Sequence, residues 1–250
     1  MALIETESLV LKSYNLAEAD RIVLFLTSDH GLVRGVAKGA KRLKSKFGSA
    51  LEPFSVVKLT YFQKDSVELV SIQDVELFQS YFELSADPLF LQKFAYLGDL
   101  LTSITPPDDP NHDLYRMVKA CLDAAAKLPS RLDNIGMYSE LWLLRLGGYL
   151  PDWRTCEKCR NEIDASGAAV LQQNFQLICA NCQRPTGATM ITANMRRLFA
   201  DALRMAPVSF AESSGEAVET AREISLVLRR ILSQASGKNI VSERTLVIGN

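Results

Sequence analysis

Apolar residues recur with a short period from Ser8 to about Gln73, and the stretch is rich in branched and aromatic side chains, which is the pattern of strands. It predicts five: Leu9–Ser13, Arg21–Thr27, Gly31–Ala37, Phe54–Phe62 and Val67–Ile72. Ser28, Asp29, His30 and Gly31 supply turn chemistry between the second and third strands, as Gln63, Lys64 and Asp65 do between the fourth and fifth. Val57, Leu59 and Tyr61 alternate with Lys58 and Thr60, as in a sheet wet on one face and packed on the other. Five short strands with a longer link after the third suit a small β-barrel of the OB type; an SH3-like barrel fits the pattern nearly as well.

The period changes after Ser85. Leu89, Phe90, Phe94, Leu97 and Leu101 recur at helical spacing up to the breaker at Pro106, Pro107 and Pro110. Further helices are predicted from about His112 to Lys127, Leu132 to Leu146, Ala193 to Met205 and Gly215 to Ser233. The third ends at Gly147 and Gly148, where left-handed geometry is easy. The fold class is therefore α+β and multidomain: a barrel over 1–80, a helical domain over 81–150 and 186–250, and a cysteine-bearing insert over 151–185.

Four of the five cysteines lie in that insert as two CxxC pairs, Cys156 with Cys159 and Cys179 with Cys182, and 19 residues separate the pairs. In a reducing compartment this spacing points to metal. Each CxxC turn presents two thiolates, and two turns complete a tetrahedron, so one structural zinc with no open coordination position is expected. A redox pair is the other use of such cysteines. Cys121, alone on the apolar side of a helix, reads as a small buried hydrophobe.

The chain of 250 residues carries 28 basic and 29 acidic residues, and this near balance hides a dipole. Residues 33–46 hold Arg34, Lys38, Lys41, Arg42, Lys44 and Lys46 with no acid, while residues 51–100 hold three lysines against eight acids. A basic strand and loop on a small barrel is what a track for a phosphate backbone looks like. Gly35 and Gly39 would let that backbone come close, and Phe47, Phe54, Tyr61 or Phe62 would stack bases. The plain alternative is a solvated loop that keeps the protein soluble. No phosphate-cradling GxxxxGK[ST] loop is present, and two histidines, His30 and His112, leave little material for Cys-His or Ser-His-Asp chemistry. An enzyme is not expected. Nor is a membrane anchor: Glu5 and Glu7 stand where a signal peptide needs a basic start, so a cytoplasmic protein is expected.

Three stretches carry a resemblance. Ala19–Gly31 resembles the second strand and hairpin of the bacterial recombination mediators of the RecO family; Arg34–Arg42 through Phe47 and Gly48 resembles their glycine and basic loop; Leu141–Asp152, followed by CxxC, resembles their passage into the zinc insert. The resemblance implies an OB-fold that binds single- and double-stranded DNA, nucleoid association, and partnership with RecR and with the acidic tail of the single-stranded DNA-binding protein. It further implies strand annealing and help in loading RecA. Some members of that family lack the cysteines. The alternative is a zinc-ribbon transcription or translation factor that binds nucleic acid.

Overall fold

The computed structural model describes residues 2–16, 18–63, 69–106, 109–183 and 189–237. Its first strand is longer than the apolar run that announced it. β1 spans Ala2–Leu16 because its two halves serve different neighbours: residues 2–9 pair with β4 (Ser55–Gln63) and residues 8–16 with β2 (Asp20–Thr27). A bulge between Val10 and Lys12 turns the strand from one partner to the other, as barrel closure requires. β3 (Leu32–Ala37) and β5 (Val70–Ser80) complete a closed barrel in the order β1-β2-β3-β5-β4. All its pairings are antiparallel except β3 with β5, which are joined in parallel at Gly35–Val70 and Val36–Ser71. This is the OB-type barrel that the sequence pattern predicts.

Inside it pack Val10, Val23, Phe25, Val33, Val57, Leu59, Tyr61 and Ile72, and the short 3-10 turn Gly48–Leu51 adds Phe47, Ala50 and Leu51 to the same core. Gly35 belongs to this core and not to a ligand surface: a Cβ there would lie 2.8 Å from both Val70 Cγ2 and Ile72 Cγ1. Its expected role of letting a phosphate approach is therefore corrected.

Leu9, Leu11, Leu24 and Leu26 are buried as well, so part of the barrel exterior needs cover. α1 (Pro88–Ile104) starts where Asp87 accepts the Leu89 N–H at 2.8 Å and Pro88 presets the first turn. Its Phe90 and Phe94 stack at 4.5 Å with Phe54 edge-on to both. α2 (His112–Lys127) donates the Tyr115 hydroxyl to Glu7 at 2.7 Å and accepts the Tyr81 hydroxyl at Asp123. Burial, then the carboxylate partner, pushes both phenols well above their ordinary range, so both remain donors. Gly31, at φ +66°, lies so near the backbone of Asp109 that no side chain fits. Cys121 is fully buried on α2, as its lone position on an apolar face predicts, and desolvation pushes its thiol up.

Two compact units result, 1–126 and 127–250. The grouping of 81–150 with 186–250 follows helix content; by compactness α1 and α2 go with the barrel.

The second unit contains α3 (Leu132–Leu146), α4 (Ala193–Arg204), α5 (Pro207–Ser213) and α6 (Val218–Ser236). α5, seven residues opened by Pro207, is too short to show a period and was not expected. Glu140 on α3 is buried and accepts Arg229 Nε of α6 at 2.7 Å, and Asp133 accepts Arg222 at 2.8 Å. Between α3 and α4 the insert forms a sheet ordered β7-β6-β8, with β6 at Ala169–Leu171, β7 at Leu177–Cys179 and β8 at Met190–Ile191.

Candidate metal centre and nucleic-acid interface

The sulfurs of Cys156, Cys159, Cys179 and Cys182 all lie within 4.8 Å of one another. A tetrahedron with metal–sulfur bonds of about 2.3 Å has edges of about 3.8 Å. The Cys159 and Cys179 sulfurs stand 3.9 Å apart, so the cluster has the size a metal ion needs.

Two tight turns bring them there. The Arg160 N–H returns to Cys156 O at 2.8 Å with Arg160 at φ +63°, and the Cys182 and Gln183 N–H groups return to Cys179 O at 3.0 and 3.1 Å. The turns are tied to each other by Glu157 N–H to Leu177 O at 2.8 Å and by Cys179 N–H to Cys156 Sγ at 3.3 Å. Burial pushes the Cys156 thiol up, but N–H donors from Cys159, Cys179 and Lys158 outweigh it and hold this group at about 6. Cys182 is pushed up to about 12, first by hydrogen bonding to the Cys179 and Cys159 sulfurs. Four thiols this close share protons, and a bound cation would displace them.

The insert is better packed than its length suggests. Trp153 is buried, stacks on Phe199 of α4 at 4.5 Å and donates Nε1–H to Phe175 O at 3.1 Å. Arg196 of α4 donates to three insert carbonyls, Ile163 at 3.3 Å, Gly167 at 2.7 Å and Asp164. The sequence names the cysteines but gives no sign of Arg196, whose carbonyl partners stand about thirty residues upstream.

On the barrel, Arg34, Lys38, Lys41, Arg42, Lys44 and Lys46 are all exposed, and among the described residues none is paired with a carboxylate. Three other cations of the barrel behave differently: Lys12 pairs with Asp99, Arg21 with Glu52 at 2.9 Å and Lys58 with Glu5 at 2.8 Å. The loop is held at its base. Gly39, at φ +71°, donates to Asp20 Oδ1 at 2.8 Å, and the Lys41 N–H reaches Ala19 O at 2.9 Å. Leu43 at its tip is fully exposed, and Lys46 lies over the Phe47 ring while reaching Gln73 O.

The expected base-stacking residues do not share this surface. Phe47, Phe54 and Tyr61 are buried, because each points into a core, and Phe62 on β4 is half-buried.

With this geometry in hand, the chain can be compared with known proteins. It matches the family description "Recombination protein O N terminal" over residues 1–81 and "Recombination protein O C terminal" over residues 94–244. The chain belongs to the RecO family. It is 30% identical to the DNA repair protein RecO of Koribacter versatilis over 204 residues, 82% of each chain. To that of Bifidobacterium adolescentis it is 35% identical over 172 residues, 66% of this chain and 68% of the relative. With the RecO of an Anaeromyxobacter strain it shares 25% identity over 245 residues, 97% of this chain and 95% of the relative. As a RecO-family DNA repair protein it is expected to meet DNA, and the matches favour this reading over a zinc-ribbon transcription or translation factor. Among the described residues no helix is long and apolar enough to cross a membrane.

Proposed function

We propose that this RecO-family protein is a cytoplasmic, nucleoid-associated recombination mediator. It binds single- and double-stranded DNA through Arg34, Lys38, Lys41, Arg42, Lys44 and Lys46 and anneals complementary strands without ATP. The observation that carries the reading is the set of exposed basic residues on β3 and the loop after it that no carboxylate neutralises among the described residues. Complementary strands repel each other; a surface that neutralises phosphates and releases their counterions lowers that barrier. No covalent step is required, so the protein acts without being an enzyme. On the same reading it accepts strands coated by single-stranded DNA-binding protein, whose acidic tail it engages, and with RecR it assists RecA loading.

The test follows two labelled complementary strands by fluorescence, with and without the protein. Acceleration at low salt, undiminished by removal of nucleotide and fading as salt rises, is expected; acceleration that appears only with ATP overturns the reading.

In the same proposal Cys156, Cys159, Cys179 and Cys182 hold one structural zinc. Its four-thiolate shell leaves no position for substrate, and its binding energy stiffens the insert. Elemental analysis of fresh protein should give one zinc per chain. Cys159→Ser should release it while the helical circular dichroism persists, because Trp153 and Arg196 anchor the insert independently of the metal. Fresh protein that carries no zinc would defeat the assignment.

A further inference from the structure

Strand register decides which side chains share the outer face of β1, β2 and β3. Val10, Val23, Phe25, Val33 and Ala37 point into the barrel, so the residues between them point out. Beyond the bulge, Lys12 stands opposite Leu24 and Leu24 opposite Arg34. The next row is Tyr14, Ile22 and Val36. A third begins with Leu16 and Asp20, and Lys38 follows directly on the last β2–β3 pair, Arg21 with Ala37.

α1 covers the first of these rows. A Cβ on Gly98 would lie 3.8 Å from the Lys12 side chain, and Lys12 pairs with Asp99. Leu24 is accordingly buried, whereas Tyr14 one row further out is 48% exposed. Ile22 and Val36 beside it are half-buried and form an apolar floor. A tyrosine kept for packing usually ties down its hydroxyl. The Tyr14 hydroxyl makes no hydrogen bond among the described residues. From a strand spacing of about 4.8 Å and a two-residue rise of about 6.8 Å, Arg34 and Lys38 each stand about 12 Å from Tyr14 at the backbone, one on either side along the strand. Both are exposed and without a carboxylate partner among the described residues. Phe78 and Phe82 are exposed too, but they sit among Asp74, Glu76, Glu83 and Asp87, which repel a phosphate backbone.

We propose that Tyr14 is the stacking platform of this face: it takes one unpaired base of a single strand while Arg34 and Lys38 hold phosphates on its two sides. This rests on the DNA-binding reading above and names, within it, the contact that separates single from double strands. A duplex keeps its bases stacked on each other and gains nothing from the ring. The charged loop serves both substrates; the ring serves one.

The test measures affinity for a single-stranded oligonucleotide and for the matching duplex at fixed salt. Tyr14→Ala should lose about fivefold to about a hundredfold in single-strand affinity and leave duplex affinity within about twofold. Tyr14→Phe and Tyr14→Trp, which keep a ring, should restore single-strand binding. A strand carrying 5-iododeoxyuridine should cross-link to residue 14 on irradiation. A Tyr14→Ala protein that keeps its single-strand affinity, or loses both affinities equally, overturns the proposal. The arms also separate it from its foundation: if parent protein binds neither substrate, the DNA-binding reading falls with it, whereas a parent that binds both and a Tyr14→Ala variant that matches it remove Tyr14 alone.

Discussion

Lys41, Arg42 and Lys44 changed together to alanine should flatten the salt dependence of single-strand binding by about 2 in the slope of log affinity against log salt. Each lost phosphate contact removes about 0.7 on single strands and about 0.9 on duplex. At low salt the affinity should fall by one to two orders of magnitude, and annealing should slow with it. The variant should stay folded, because the ties of the loop at Gly39 and Lys41 run through backbone N–H groups that alanine retains. Fluorescence anisotropy across a salt series makes the measurement. An unchanged slope would reduce the stretch to a solvated surface.

The other large effect lies in the second unit and concerns stability alone. Arg229→Met leaves the buried Glu140 carboxylate without the guanidinium that faces it at 2.7 Å. Removing one member of a buried pair costs about 3–5 kcal/mol, because the remaining charge is held away from water and has lost the cation that faced it. Urea unfolding should report a loss of that size, and Glu140→Gln combined with Arg229→Met should recover much of it, since the buried carboxylate charge is then gone as well. Arg222→Met, opposite Asp133, should cost less: the Arg222 side chain is 55% exposed and water can take its place. Equal costs at the two sites would contradict this account.

The sequence revealed those parts of the molecule whose cause is local. Strand centres, the helices with a long apolar stripe and the CxxC pairs could all be read from spacing. What could not be read depends on distant partners. Residues 2–8 look like a polar leader until Gln63 to Val57 arrive to pair with them, and Glu76–Ser80 continue β5 only because β4 runs alongside. The strands of the insert are two or three residues long, below any period.

The choice of aromatic residues failed for a sharper reason. A strand pattern gives alternation but not which set faces inward, and one extra residue reverses it. The bulge between Val10 and Lys12 is such a residue. Val10 points into the barrel, and simple alternation would send Lys12 and Tyr14 after it; the bulge turns them outward and brings Ser13 in. Tyr61, which looks equally suited to stacking, falls on the inward set of β4, and Phe47 enters the same core from the 3-10 turn that follows it.

Arg196 has a consequence for descent. Its guanidinium holds three carbonyls of the insert from α4, and Trp153 is clamped against Phe199 on the same helix. Neither attachment involves a sulfur atom. On the proposed zinc reading, a lineage that loses one cysteine therefore forfeits the ion but retains the position and packing of the segment, and the remaining three thiols become free to drift. Absence of the cysteines in a descendant is then a short walk through folded intermediates, while exchange of Arg196 would release three carbonyls at once. Selection should relax at the four cysteines long before it relaxes at the arginine.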